Sequence, residues 1–589
     1  MAHESKPEYR EDDSWFSKAQ LAQLTPADAA NSLHSPVPTQ MVSNGEYMPH
    51  PQTEQQKYVE RRLGQLANAA SADLGITRRH FLASTGGMAA AFLAMNDVFG
   101  RLFNVQPAEM YESAAFAQNG APSDLFVLDT QLHTVRSSLN FNGLSLRSIA
   151  QGEHSILNAA DLPDELGGVN TPWNPALAGL PNVSENFYLV QFMKDVYLDS
   201  QVSVGLMSNN TSAAIPDVAG NRRPPKDIRE SEQGEFLTAP QTAAVRDWVN
   251  TLAGSTRLLA HGQLFPGLPG SYPAGAPAPT NLEYIQWQID TLKPDSWKGY
   301  TSANSAKYDL DPESLMRTWR LDDDQVAYPM YDLIVHNGDM LNTHPGFFNI
   351  CIHKGLSTDA PDDPALGYPV DIPKAARDWP MLNFIIYHSC IRPGFWMMAA
   401  LNDVQSGRLR QGVPDILWTT QFAVDSADIP NVYAELGTTF ASSVITFPTA
   451  CAHILGQLLK FFGEDRIMFG SDSVWYGSPQ WQIEAFWRFQ IPEELRNQYG
   501  YPELTETARR KILGLNAARL YNLPTATAAT APTLYTPVPT DYASRIPDSL
   551  KTTMEFPGFA AVDNLAKMRA IYQAVGAQPN NTRYGWLRR

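Results

Sequence analysis

Four apolar runs in the second half of the chain each stop on a residue that can bind a metal or carry a proton. NICIH ends at His353, LNFIIYH at His388, NVYAE at Glu435 and RIMFGSD at Asp472. Each run has the length and bulk of a buried strand and is cut off by Gly, Ser or another polar residue. The steps from 353 to 388, 435 and 472 are 35, 47 and 37 residues. Each is room for one strand, one helix and two loops. Four successive β/α units that deliver a His or carboxylate to one rim predict a (β/α)8 barrel, whose chemistry sits at the carboxyl ends of its strands. Upstream, LFVLDTQLHTV alternates so that Asp129, Gln131 and His133 are expected on one strand face, with Gln131 and His133 aimed into one cavity. Strand two is expected over Val202 to Met207, strand three in RLLAHGQL around residue 259, and strand four around Trp297 to Thr301. The fold class is therefore α/β, a (β/α)8 TIM barrel over 124–523 with N-terminal and C-terminal extensions.

The flanks read differently. Residues 1–76 are polar, rich in Gln, Glu, Ser and Pro, with one helix expected around Glu54 to Ala72. Then TRRHFLASTGGMAAAFLAM sets Arg78 and Arg79 before Phe81, Leu82 and an Ala/Gly-rich run. Residues 77–117 match a twin-arginine export signal, with Ala115-Phe116-Ala117 as cleavage site and Gln118 as mature start, which implies a periplasmic protein. The competing reading is a helix packed on the barrel. The run is too short and interrupted to span a membrane. Residues 524–589 open with the linker PTATAATAPTLYTPVPT and carry one amphipathic helix near Val562 to Val575. The long insertion between strands one and two is expected to form part of a lid, and 363–374 and 473–505 to be loops that shape a pocket.

Composition narrows the partners. With 43% hydrophobic residues the chain can fill a large core, and a net charge of −17 argues against nucleic acid and anionic membrane surfaces. Cys351, Cys390 and Cys451 form no disulfide framework and are expected as buried thiols.

On DTQLH, NICIHKG, IIYHS, RIMFGSDS and the closing KILGLNAARLYNL, the chain resembles the metal-dependent amidohydrolase superfamily over 124–523, in particular the branch of aromatic-acid decarboxylases related to aminocarboxymuconate semialdehyde decarboxylase. The resemblance implies one divalent metal held by His133, His353 and Asp472, with Gln131 as a fourth donor through its amide oxygen. The family pattern has His at both alternating positions of strand one. Gln131 stands at the first, a weaker and uncharged donor that makes the set richer in oxygen and so better suited to Mn2+ than the family's usual one; Zn2+, which favours nitrogen donors, is still expected ahead of it. His388 is placed by the resemblance as general base or as the group that polarises a substrate carbonyl, and Asp472 as both ligand and proton shuttle.

Other candidates receive plainer readings. Glu435 is expected to cap a loop or support the site, and Lys298 to be compared with the bridging carboxylated lysine of binuclear relatives. Arg392 is expected in a surface ion pair, and His336, His344 and His453 in packing or solvation. Two function classes follow. The first is a metal-dependent hydrolase or non-oxidative decarboxylase of a small aromatic or unsaturated carboxylate, ester or lactone, acting through metal-bound water or metal-bound substrate. The second is a metal-free barrel kept as an exported scaffold or interaction subunit, which Gln131 keeps open. Relatives implied by the resemblance form homodimers, so a homodimer is a further expectation.

Overall fold

A computed structural model describes residues 35–39, 53–135, 189–208, 215–216, 222–223, 235, 237–253, 255–264, 281–301, 319–355, 367–392 and 396–525. Most of the expected lid insertion and the tail with its helix near 562–575 lie outside the described residues.

Eight parallel strands follow one another around a single sheet: β1 (Leu128–Leu132), β2 (Val204–Met207), β3 (Leu258–Gln263), β4 (Ser296–Tyr300), β5 (Asn349–His353), β6 (Asn383–Tyr387), β7 (Val432–Glu435) and β8 (Ile467–Met468). The last returns to the first. Thr130 N–H donates to Phe469 O at 3.1 Å, Asp472 N–H to Gln131 O at 3.0 Å, and Leu132 pairs in parallel with Ser473. The result is a (β/α)8 barrel, closed by the segment that also carries Asp472.

The strand sequences account for their burial on both faces. In β6, Phe384 and Ile386 join the core beneath the helices, while Ile385 and Tyr387 turn to an inner cluster with Leu128, Leu206, Leu259 and Cys351. Helix Asn516–Leu520 packs on that cluster through Ala517 and Ala518. Polar groups inside the barrel are joined in one direction. Tyr521 donates to Ser296, Ser296 to His261 Nδ1, and His261 Nε2 to the Tyr387 hydroxyl, each at 2.9 Å; Tyr387 then donates to Thr130 O at 2.6 Å. Because the Tyr387 proton is committed to a carbonyl, the His261 proton sits on Nε2. All three cysteines are buried and free.

Residues 54–119 pack against the barrel. Helix Glu54–Leu74 starts on a Thr53/Gln56 capping box and stops at left-handed Gly75. Helix Arg78–Leu82 leads into Thr85–Phe99, which is buried from Thr85 to Met95 except at Leu93. Its glycines allow that approach: a Cβ on Gly86 would lie 2.4 Å from Met110 O, and one on Gly87 2.5 Å from Leu82 Cα. Beyond it, Phe103 pairs with Phe489, and the backbone joins through Asn104 N–H to Arg488 O at 2.8 Å and Gln490 N–H to Leu102 O at 2.7 Å. No helix among the described residues is long and apolar enough to cross a membrane.

Two expected loops contain helices instead: Ile372–Asp378 in the first, Gln480–Arg488 and Glu493–Tyr499 in the second. The prolines that suggested loops stand where a helix tolerates them, Pro373 in a first turn and Pro479 and Pro492 at the caps.

Candidate metal centre

The carboxyl ends of β1, β5, β6, β7 and β8 bring Gln131, His133, His353, His388, Glu435 and Asp472 to one buried place. β1 does not keep strict alternation. Its register shifts between Asp129 and Leu132, so the shared face expected for Asp129, Gln131 and His133 is broken at Asp129. Leu128 packs inside the barrel, and Asp129 turns sideways to accept Gln131 N–H at 3.2 Å and Ser471 N–H at 2.9 Å. One carboxylate thereby ties the backbones that carry Gln131 and Asp472.

The donor atoms face one another. His133 Nε2 lies 3.0 Å from Asp472 Oδ1. One end of the Gln131 amide, Nε2, is 3.4 Å from both His133 Nε2 and His388 Nε2, and His388 Nε2 is 3.2 Å from His353 Nδ1. The other end of the amide, Oε1, is buried without a partner among the described residues. Aromatic rings orient the imidazoles: Tyr300 stacks on His353 with centroids 4.6 Å apart, and Trp475 lies against His133 at 5.5 Å.

Backbone conformation here is unusual. His388, Ser389 and Cys390 hold φ of 60, 49 and 54°, and Asp472 holds 56°. Left-handed backbone costs a non-glycine residue roughly 1–2 kcal/mol. The turn at His388 is held from β7 and the helix that follows it, Gly437–Thr446. Glu435 Oε2 accepts His388 N–H at 3.0 Å, Glu435 O accepts the Ser389 hydroxyl at 2.7 Å, and the Thr439 hydroxyl donates to His388 O at 2.6 Å. Thr438 N–H donates to His388 Nδ1 at 3.2 Å, and its hydroxyl meets Asp472 Oδ2 and the Tyr476 hydroxyl.

Charge is uneven across the site. Burial pushes the Glu435 carboxyl up to about 8, against the pull of the His388 N–H, and the Asp129 carboxyl up to about 7, against the Ser471 hydrogen bonds. Burial acts on Asp472 in the same sense, but the hydrogen bond and charge of His133, with His388 and Thr438, outweigh it and hold that carboxyl below the usual range. Burial draws the His388 imidazole down to about 3 despite Asp472 nearby. Asp472 is thus the firm anion of the group, and His388 is neutral.

These residues suit a divalent cation. Atoms bound at about 2.1 Å to one ion stand roughly 3.0–3.4 Å apart, which are the separations of His133 Nε2 from Asp472 Oδ1 and from the Gln131 amide. Counting His, Cys, Asp and Glu alone, no three among the described residues form a metal-holding group. The Gln131 amide lies between His133 and His388, and His353 meets the group through His388. A half-turn of that amide would present Oε1, the partnerless acceptor, to the other donors.

The remaining candidates fall outside this group. Lys298 Nζ lies 3.6 Å over the Tyr387 ring, deeper in the barrel. Arg392 pairs with Asp403 at 3.6 Å, His336 is exposed beside Asp332, His344 meets Thr343, and His453 is buried against Tyr501. Sequence reading missed Thr438, Thr439, Tyr300, Trp475 and Tyr476. For the two threonines a signal existed, since ELGTT follows the carboxyl end of β7 directly.

Residues 312–523, which include β5 to β8, match the amidohydrolase family. None of the curated proteins matches the chain by sequence. Among solved structures, 2,6-dihydroxybenzoate decarboxylase from Rhizobium is 14% identical, covering 68% of this chain and 99% of its own, with a TM-score of 0.35. A dihydroxybenzoic acid decarboxylase from Polaromonas sp. JS666 with bound manganese is 12% identical over 68% and 97%, at 0.33. The 5-carboxyvanillate decarboxylase of Novosphingobium aromaticivorans, also with bound manganese, is 12% identical over 69% and 99%, at 0.36.

Proposed function

We propose that the protein is a metal-dependent enzyme of the amidohydrolase type that hydrolyses or decarboxylates a small aromatic or unsaturated carboxylate, ester or lactone. The observation that carries this reading is the convergence of His133, His353, Asp472 and Gln131 from three strands at the chemically active rim of a barrel, with His388 among them. The amidohydrolase match over 312–523 supports it.

His133, His353, Asp472 and the Gln131 oxygen would hold one divalent cation. Bound there, it supplies a Lewis acid for a substrate oxygen. Two nitrogen and two oxygen donors are a set that Mn2+ and Zn2+ both accept, which gives zinc no advantage. The chain's own groups divide the remaining work. Asp472, held anionic, can take up a proton and return it at the reacting carbon or leaving atom. His388, neutral, would meet a substrate from the carboxyl end of β6. Tyr300 and Trp475 fix two of the imidazoles and keep water from their outer faces.

Metal analysis of full-length protein purified without chelator tests this. About one divalent ion per chain is expected, retained in His388→Gln and lost in His133→Ala. Asp472→Asn should keep the barrel folded and lower turnover of any aryl carboxylate, ester or lactone substrate at least ~100-fold. No metal in the wild type, even after addition of Mn2+ or Zn2+, would favour a non-catalytic barrel.

A further inference from the structure

The carboxyl end of β7 does more than close the sheet. Glu435, Thr438 and Thr439 supply four hydrogen bonds to the His388 turn, and two of these grip the backbone that strain would otherwise relax. The bond from Thr438 has a separate consequence. A backbone N–H can only donate, so His388 Nδ1 must accept and carries no proton. A neutral imidazole with a bare Nδ1 has its proton on Nε2. An imidazolium is excluded by the same contact, because it would set two donors against each other. His388 Nε2 is the atom that faces His353 Nδ1 and the Gln131 amide.

We infer that Thr438 and Glu435 are positioning residues that lock His388 as a neutral Nε2–H donor, so that His388 binds a substrate oxygen by hydrogen bonding and does not remove a proton. This rests on the proposed enzymatic reading of the site. It resolves the two roles left open for His388 in favour of polarisation and leaves proton transfer to Asp472. Thr438 couples the two, since its N–H fixes His388 while its hydroxyl holds Asp472 Oδ2. Gly437 makes the contact possible: a Cβ there would stand 2.6 Å from His388 Nδ1 and 2.7 Å from Gln131 Oε1.

The test reads the tautomer directly. Full-length protein labelled with 15N-histidine, metal-free or loaded with diamagnetic Zn2+, is examined by two-bond 1H–15N correlation, with His388 assigned from its disappearance in His388→Gln. The expected pattern is protonated Nε2 and bare Nδ1, kept in Thr438→Val, which removes the hydroxyl and keeps the N–H. Thr438→Pro removes the N–H at a first-turn position where proline is tolerated, and should lose the fixed tautomer. A wild-type His388 protonated on Nδ1, or on both nitrogens, overturns the inference, whatever becomes of the Pro variant. Turnover supplies the second arm. Glutamine can donate a hydrogen bond but cannot act as a base, so His388→Gln should stay within about tenfold of wild type while His388→Ala falls roughly 100- to 1,000-fold. Equal losses in both variants would also overturn the donor role. The tautomer is measured without turnover, so failure to find a substrate counts against the proposed reaction and leaves the NMR result to decide this inference.

Discussion

Around Gly437, single atoms decide whether the site exists. The backbone there has φ of +38°, and any Cβ would enter the space between His388 Nδ1 and Gln131 Oε1. Gly437→Ala should therefore displace the imidazole and the amide together, with turnover lowered ~100-fold or more and the far-ultraviolet circular dichroism unchanged. A variant with wild-type turnover would mean that this close approach has no bearing on the chemistry. The residue scale is also where the sequence was least complete. His353, His388 and Asp472 were legible because each ends an apolar run at the spacing of a β/α unit. The left-handed backbone at His388 and Asp472 was not, since nothing in HSC or GSD asks for it; tertiary bonds from Glu435 and Thr439 impose it on the first. Asp129 was misplaced for a related reason. Alternation predicts faces only while a strand keeps its register, and β1 does not.

Among the elements, the segment before the barrel carries the clearest consequence. Arg488, fully buried, donates to Glu109 at 2.7 Å and Glu484 at 3.3 Å, and to the carbonyls of Asn104 and Phe116. Its guanidinium lies 4.2 Å over the Phe116 ring. Cleavage after Ala117 would remove Glu109, both carbonyls and that ring together. The intact mass of the protein recovered from the cells that make it should therefore include residues upstream of Gln118; a mass starting at Gln118 would contradict this. Within the fold, Arg488→Leu strands two buried carboxylates and should cost roughly 3–5 kcal/mol in urea unfolding. An unchanged midpoint would show that the network adds nothing. The Gly and Ala content of TGGMAAAFLAM suits an export signal and close helix packing alike. Composition alone cannot separate them, because both demand small, uncharged side chains, and only the contacts at Gly86 and Gly87 reveal the packing.

For the molecule as a whole, histidines that are buried uncharged make stability depend on pH. His453 lies outside the group around Asp472, hydrogen-bonded to Tyr501 at 3.0 Å and flanked by the Tyr499 and Tyr501 rings, and burial draws its imidazole down to about 4. Burial likewise holds His261 well below its ordinary 6.5. Unfolded, each would bind a proton near pH 6.5; folded, His453 resists until about pH 4. Between those values the unfolded state holds more protons, so stability is full above about pH 6.5 and falls as the pH drops towards 4. For His453 the loss amounts to about 3 kcal/mol over that window. Such a group could be seen in ACAHILGQLL only as a histidine on an apolar helix. That it stays neutral depends on Tyr499 and Tyr501, which reach it from a separate helix and loop. Urea unfolding at pH 7 and pH 4.5 distinguishes this contribution from general acid destabilisation. The wild type should lose more stability than His453→Gln between the two conditions, by most of that amount, because the glutamine has no proton to refuse. Equal losses in the two proteins would show that His453 binds its proton as readily folded as unfolded.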